Sequence, residues 1–166
     1  MNNKAFYITA AVLIAASIGF WAYMFQESPQ APAEEPITEL YDGEINLIMY
    51  HAEGCDCCMK WADYLVDNGI NVETELLADP HELKDEHEIP ARLRSCHTGI
   101  VDGYVIEGHV HAEDIRRLLA ERPDAIGLSA PGMPPNSPGM DQPVDREYQI
   151  VLFDEAQNMS VYAVHN

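Results

Sequence analysis

An uncharged run from Ala5 to Phe25 opens the chain, bounded by Lys4 and Glu27. A helix rising about 1.5 Å per residue over that length reaches across a hydrocarbon core of about 30 Å. Trp21, Tyr23 and Phe25 close the run, where amphipathic rings favour a membrane interface. A Pro- and Glu-rich stretch follows, Ser28 to Pro36 (SPQAPAEEP), and reads as an extended, solvated tether. Beyond it the pattern changes to short periodic segments. Ile45, Leu47 and Met49 alternate with their neighbours and predict a strand between Glu44 and Glu53. Met59 to Asn68 places Trp61, Ala62 and Leu65 on one helical face and stops at Gly69, a C-cap residue. Ile70 to Leu77 alternates again as a second strand, and Pro80 to Glu88 reads as a short charged helix opened by Asp79 and Pro80. Gly99 to Gly108 holds two apolar runs around Asp102-Gly103, a hairpin signal because both turn positions need positive φ. Ala112 to Glu121 has Ile115, Leu118 and Leu119 at helical spacing, stopped by Pro123. After a Pro/Gly/Met loop, Tyr148–Phe153 and Met159–Val164 form a final strand pair. The expected order is β-α-β-α-β-β-α, a loop, then β-β.

These segments divide the chain into an anchor or signal segment (1–27), a tether (28–43) and a folded domain (44–166). With Lys4 before the apolar run and Glu27, Glu34 and Glu35 after it, the N-terminus stays inside and the domain is exported. A retained inner-membrane anchor through residues 5–25, with the domain in the periplasm, is the expectation. A cleaved leader ending near Ala31-Pro32-Ala33 is the alternative, disfavoured because the apolar run exceeds a signal core of roughly 7–15 residues. Composition narrows the partners. Among 166 residues, Lys and Arg number 9 against 28 Asp and Glu, a formal charge of −19. That balance excludes nucleic acid and attraction to anionic headgroups, and the length argues against a large multidomain enzyme.

The four cysteines change the picture most. Cys55, Cys57 and Cys58 sit where the first strand meets the first helix, and Cys96 stands alone downstream. Amide N–H groups and the dipole at a helix N-terminus stabilise thiolates, so this is a reactive or metal-binding position. Cys55 and Cys58 keep the C-x-x-C spacing of thiol redox sites, which leaves a thiol–disulfide oxidoreductase using those two residues as an alternative. Three thiols so close cannot all pair with one another, so one needs a metal or a more distant partner.

Cys55-Asp56-Cys57-Cys58 with Trp61, then Ser95-Cys96-His97-Thr98, Gly103 to His109 (GYVIEGH), and the repeated Pro131-Gly132-Met133 and Pro138-Gly139-Met140 together resemble the CopG-type copper-resistance family. The likeness spans about residues 45–165 and departs at Asp56, where the family pattern has glycine. The resemblance implies an α/β, thioredoxin-like fold (β-α-β-α-β-β-α) with an added C-terminal β-hairpin. It also implies that Cys96 faces the upstream trio, so that four sulfurs converge. Soft sulfur selects Cu(I), zinc or an iron–sulfur cluster. One Zn²⁺ on four thiolates leaves −2 and one Cu⁺ leaves −3, whereas four bridged Cu⁺ sum to zero, the least costly charge to bury. Vicinal Cys57 and Cys58 also suit bridging between ions better than chelation of one. The expectation is therefore a polynuclear Cu(I) centre held by Cys55, Cys57, Cys58 and Cys96, with zinc or an iron–sulfur cluster as alternatives. Envelope copper-export or copper-carrier proteins are the expected partners.

Secondary candidates surround this set. Met133 and Met140 are read first as a lid and second as thioether ligands. His97 adjoins Cys96 and can ligate or hydrogen-bond it. His51 and Trp61 are expected to frame the site. His109 and His111 alternate around Val110, a spacing that puts both rings on one side or leaves both solvated. His81, His87 and His165 carry no functional expectation. No phosphate-binding Gly-rich loop and no G-x-S-x-G elbow occurs in the sequence.

Overall fold

The computed structural model describes residues 40–166, so the expected membrane segment and most of the tether lie outside the described residues. Among the described residues no helix is long and apolar enough to cross a membrane. They form a mixed α/β fold built on one seven-stranded sheet. In chain order the elements are β1 (Asn46–His51), α1 (Asp56–Asp67), β2 (Asn71–Leu76), α2 (Pro80–Glu86), a 3-10 turn (Ala91–Leu93), β3 (His97–Val101), β4 (Tyr104–Glu107), α3 (Ala112–Glu121), β5 (Gly127–Ser129), β6 (Tyr148–Phe153) and β7 (Met159–His165). The strands lie side by side as β2-β1-β3-β4-β5-β6-β7. β1 runs parallel to β2 and antiparallel to β3, β4 is parallel to β5, and the remaining pairs are antiparallel.

Alternation places Ile45, Leu47 and Met49 on the face covered by Cys58, Trp61, Ala62 and Leu65 of α1 and by Ile115, Leu118 and Leu119 of α3. The opposite face is smaller. There Val105 and Phe153 pack with Ile89 and Leu93 from the segment after α2. The β3–β4 turn has the two positive φ values that Asp102-Gly103 predicts, 46° and 87°. Asp79 caps α2 by accepting the His81 amide at 2.8 Å.

Two elements depart from the sequence expectation. α1 begins at Asp56, three residues early, because the Cys55 carbonyl already accepts the Cys58 and Met59 amides. This draws Cys57 and Cys58 into the first turn. Gly127–Ser129, expected as loop, is β5, wedged between β4 and β6. A three-residue strand buried on both faces has no alternation to betray it. Gly127 makes its pairing possible, since a Cβ there would sit 1.8 Å from the Val105 carbonyl oxygen. Through β5 the C-terminal hairpin continues the main sheet.

Candidate metal centre

Backbone geometry gathers the cysteines. Cys55 is the N-cap of α1, and Cys57 and Cys58 follow within its first turn. Cys96 immediately precedes β3, whose antiparallel pairing sets His97 opposite His51 at the end of β1. The result is that all four sulfurs lie within 4.8 Å of one another. Cys57 Sγ is 3.6 Å from Cys55 Sγ and 3.7 Å from Cys96 Sγ. Cys55 and Cys58 are joined as a disulfide, while Cys57 and Cys96 are free thiols. Burial, then the neighbouring Cys57, pushes the Cys96 thiol up to about 12. A soft cation that displaces this proton would gain a ligand from a group otherwise held neutral.

Two histidines complete the wall behind Cys96. His97 Nδ1 lies 3.4 Å and His109 Nε2 3.7 Å from Cys96 Sγ. His109 Nδ1 meets the Pro138 carbonyl oxygen at 2.7 Å. A carbonyl only accepts, so Nδ1 carries the hydrogen and the Nε2 lone pair points at the sulfur. Burial holds His109 below the usual histidine range, keeping it neutral. His97 is pushed down further by burial and by His109 beside it. Its Nε2 is buried without a hydrogen-bond partner. Trp61 lies against the His97 ring at 4.4 Å and donates Nε1–H to the Val110 carbonyl at 2.9 Å.

The loop repeat is not equivalent in space. Gly139 has φ of 79°, and a Cβ there would come within 2.6 Å of the Trp61 amide nitrogen and 3.1 Å of the Cys57 carbonyl oxygen. The second Pro-Gly pair is therefore pressed onto the start of α1, with the half-buried Met140 next to it. Gly132 has open space around the same position, and Met133 is 42% exposed.

A buried polar knot supports the segment that carries Cys96. The Glu107 carboxylate accepts from Lys84 Nζ at 2.6 Å, Thr98 Oγ1 at 2.7 Å and the Ser95 amide at 2.5 Å. Lys84 Nζ also donates to Thr98 Oγ1 at 2.7 Å. This knot is invisible in the sequence, where Lys84 sits in a charged string and reads as surface. His109 was half legible. It and His111 do not share a side, because His111 turns to Tyr148 and His165 instead, and neither full solvation nor a common face describes the pair.

Comparison with known proteins gives the family. A family model described as a protein of unknown function, DUF411, matches residues 93–140, the stretch holding Cys96, both histidines and the loop. No curated protein matches the chain. A solved structure titled copper resistance protein copG, form 2, is 36% identical with a TM-score of 0.71, covering 75% of this chain and all of that one. Form 1 of that protein is likewise 36% identical, with a TM-score of 0.69 over 76% of this chain and 98% of the other. The chain belongs to the CopG copper-resistance family. Membership and a cysteine cluster able to hold metal together support a function in copper resistance.

Proposed function

We propose that this protein is an exported, membrane-tethered copper binder that holds Cu(I), as cargo, through Cys55, Cys57, Cys58 and Cys96 once the Cys55–Cys58 bond is reduced. The observation that carries the reading is the approach of Cys96 to the trio, with all four sulfurs inside 4.8 Å. Thiolate is the donor that selects monovalent copper, and bridging thiolates with several Cu⁺ ions leave little net charge to bury. His109 Nε2 and His97 Nδ1, 3.7 and 3.4 Å from Cys96 Sγ, are further borderline donors beside the sulfurs. Pro138-Gly139 serves as the cover, with Met140 beside it. We read the domain as thioredoxin-like, with β1-α1-β2 and β3-β4-α3 as its halves and β5–β7 as an extension. Its partners would be copper-export or copper-carrier proteins of the envelope.

The Cys55–Cys58 disulfide favours a second, compatible reading in which these two residues exchange with an external dithiol. Reduction takes two electrons and two protons from that dithiol, which becomes a disulfide, and releases two thiols for copper. Reoxidation of the pair would eject the metal. Copper loading of reduced protein under anaerobic conditions separates the readings. Cys57→Ser should lower copper stoichiometry and abolish the sulfur-to-copper charge-transfer bands of the wild type, while sparing exchange at Cys55 and Cys58. Full stoichiometry in Cys57→Ser would refute the four-sulfur centre.

A further inference from the structure

His111 and His165 are placed by elements remote in sequence, His111 as the N-cap of α3 and His165 as the last residue of β7. Their rings stack at 3.8 Å between centroids, 13° from parallel. Each ring has one nitrogen held from behind. His165 Nε2 lies 2.8 Å from Asp114 Oδ2, and His111 Nε2 lies 2.5 Å from the Tyr148 hydroxyl. Asp114 is itself buried. A carboxylate accepts, so His165 Nε2 carries the hydrogen and the Nδ1 lone pair faces outward. Opposite it, at 3.9 Å, stands Glu113 Oε1, which also offers only a lone pair. With the imidazole neutral, neither atom brings a hydrogen to the other, and a proton or a metal ion can fill the gap. A cation about 2.0–2.2 Å from each would bridge this nitrogen and oxygen, and His111 would join them by turning its ring out of the stack. The ligand atoms of His111, Glu113 and His165 lie within 4.8 Å of one another.

We propose that His111, Glu113 and His165 form a second metal site, separate from the cysteine centre, for a divalent first-row ion with Cu(II) bound most tightly. Two imidazoles and a carboxylate are borderline-to-hard donors, unlike the four sulfurs, and among divalent ions the affinity order peaks at copper. Charge closes as well, since Glu113 and Asp114 together balance a 2+ ion. Asp114 and Tyr148 are positioning residues, orienting the imidazoles as outer partners of metal-bound histidines do. The site shares no residue with the cysteine centre and does not rest on the proposed Cu(I) chemistry. Its signature also differs, because Cu(I) is silent in electron paramagnetic resonance and Cu(II) is not.

The test is titration of the full chain with Cu(II), read by electron paramagnetic resonance, in the wild type and in a Cys57→Ser/Cys96→Ser background. One equivalent showing superhyperfine coupling to two nitrogens is expected in the double variant, and in the wild type only after its two free thiols have reduced their share of Cu(II). His165→Gln should remove the two-nitrogen signal. Glu113→Gln, at a side chain 64% exposed and so harmless to folding, should weaken binding, and Asp114→Asn should do so by about 10–100-fold. Absence of a nitrogen-coupled signal in the Cys57→Ser/Cys96→Ser background, which has no free thiol to reduce Cu(II), would overturn the proposal. So would a signal unchanged in both Glu113→Gln and His165→Gln.

Discussion

Glu107→Gln tests whether the polar knot beneath Cys96 holds the domain together. The side chains of Lys84 and Glu107 are 2% and 0% exposed, and their charged atoms lie 2.6 Å apart. Removing the carboxylate charge leaves a buried ammonium facing a neutral amide. Breaking a buried pair on one side costs about 3–5 kcal/mol. Lys84→Met should cost a similar amount, because Glu107 keeps its bonds to Thr98 and the Ser95 amide but loses its counter-charge. Against this, Lys84→Met/Glu107→Met replaces the pair by apolar groups, which is often neutral or stabilising by about 1–4 kcal/mol. Here it also leaves the Ser95 amide and Thr98 hydroxyl unpaired, at about 1–3 kcal/mol each. The double variant should thus be no worse than Lys84→Met or Glu107→Met alone, giving a large coupling in the double-mutant cycle that these three variants and the wild type close. Urea unfolding of the full chain followed by circular dichroism reads all four corners, and the slope with denaturant should stay constant. A loss below about 1 kcal/mol in both single variants would refute the reasoning, since the pair would then be exchanging with water. The double variant has a second use. It removes the acceptor of the Ser95 amide, next to Cys96, so weaker copper binding in a stable protein would separate positioning of Cys96 from simple loss of fold.

Three further outcomes follow from the same geometry. Thiol titration of the denatured protein should find two free cysteines as isolated in the disulfide form and four after reduction, with copper uptake rising only after reduction; equal uptake before and after would contradict a role for Cys55 and Cys58 in holding metal. Gly139→Ala should destabilise by about 1–2 kcal/mol from left-handed backbone strain alone, plus the clash with α1, and expose the 131–147 loop to proteolysis more than Gly132→Ala does, whose Cβ meets nothing; equal susceptibility would show that the second Pro-Gly pair is not the cover. His109→Ala should cost about 1–3 kcal/mol, by stranding the Pro138 carbonyl, and should weaken Cu(I) retention against a chelator; unchanged retention would remove His109 from the rim of the site.

Residues whose role is local were legible in the chain. The β1 alternation, the α3 limits, the Asp79 cap and the Asp102-Gly103 turn each depend on neighbours a few positions away, so periodicity and turn chemistry determine them before any folding. Cys55, Cys57 and Cys58 announced a site for the same reason, being crowded together by sequence. What lay across the sheet was not written in this way. β5 exists because β4 and β6 offer it edges, and its three residues carry no period of their own. Lys84 and Glu107 have polar side chains that pattern assigns to water, and only their mutual approach makes burial tolerable. His109 and His111 stand two positions apart, yet the turn into α3 sends one ring to Cys96 and the other to His165. Cys96 stood out as the more distant partner that three crowded thiols need, its place facing them was implied by family resemblance, and the β1–β3 pairing brings that sulfur within 3.7 Å of Cys57. Sequence therefore determined which chemistry was available, because donor type is a property of the side chain. Tertiary structure decided which donors meet, because contact between distant residues depends on strand register and helix packing that no local pattern encodes.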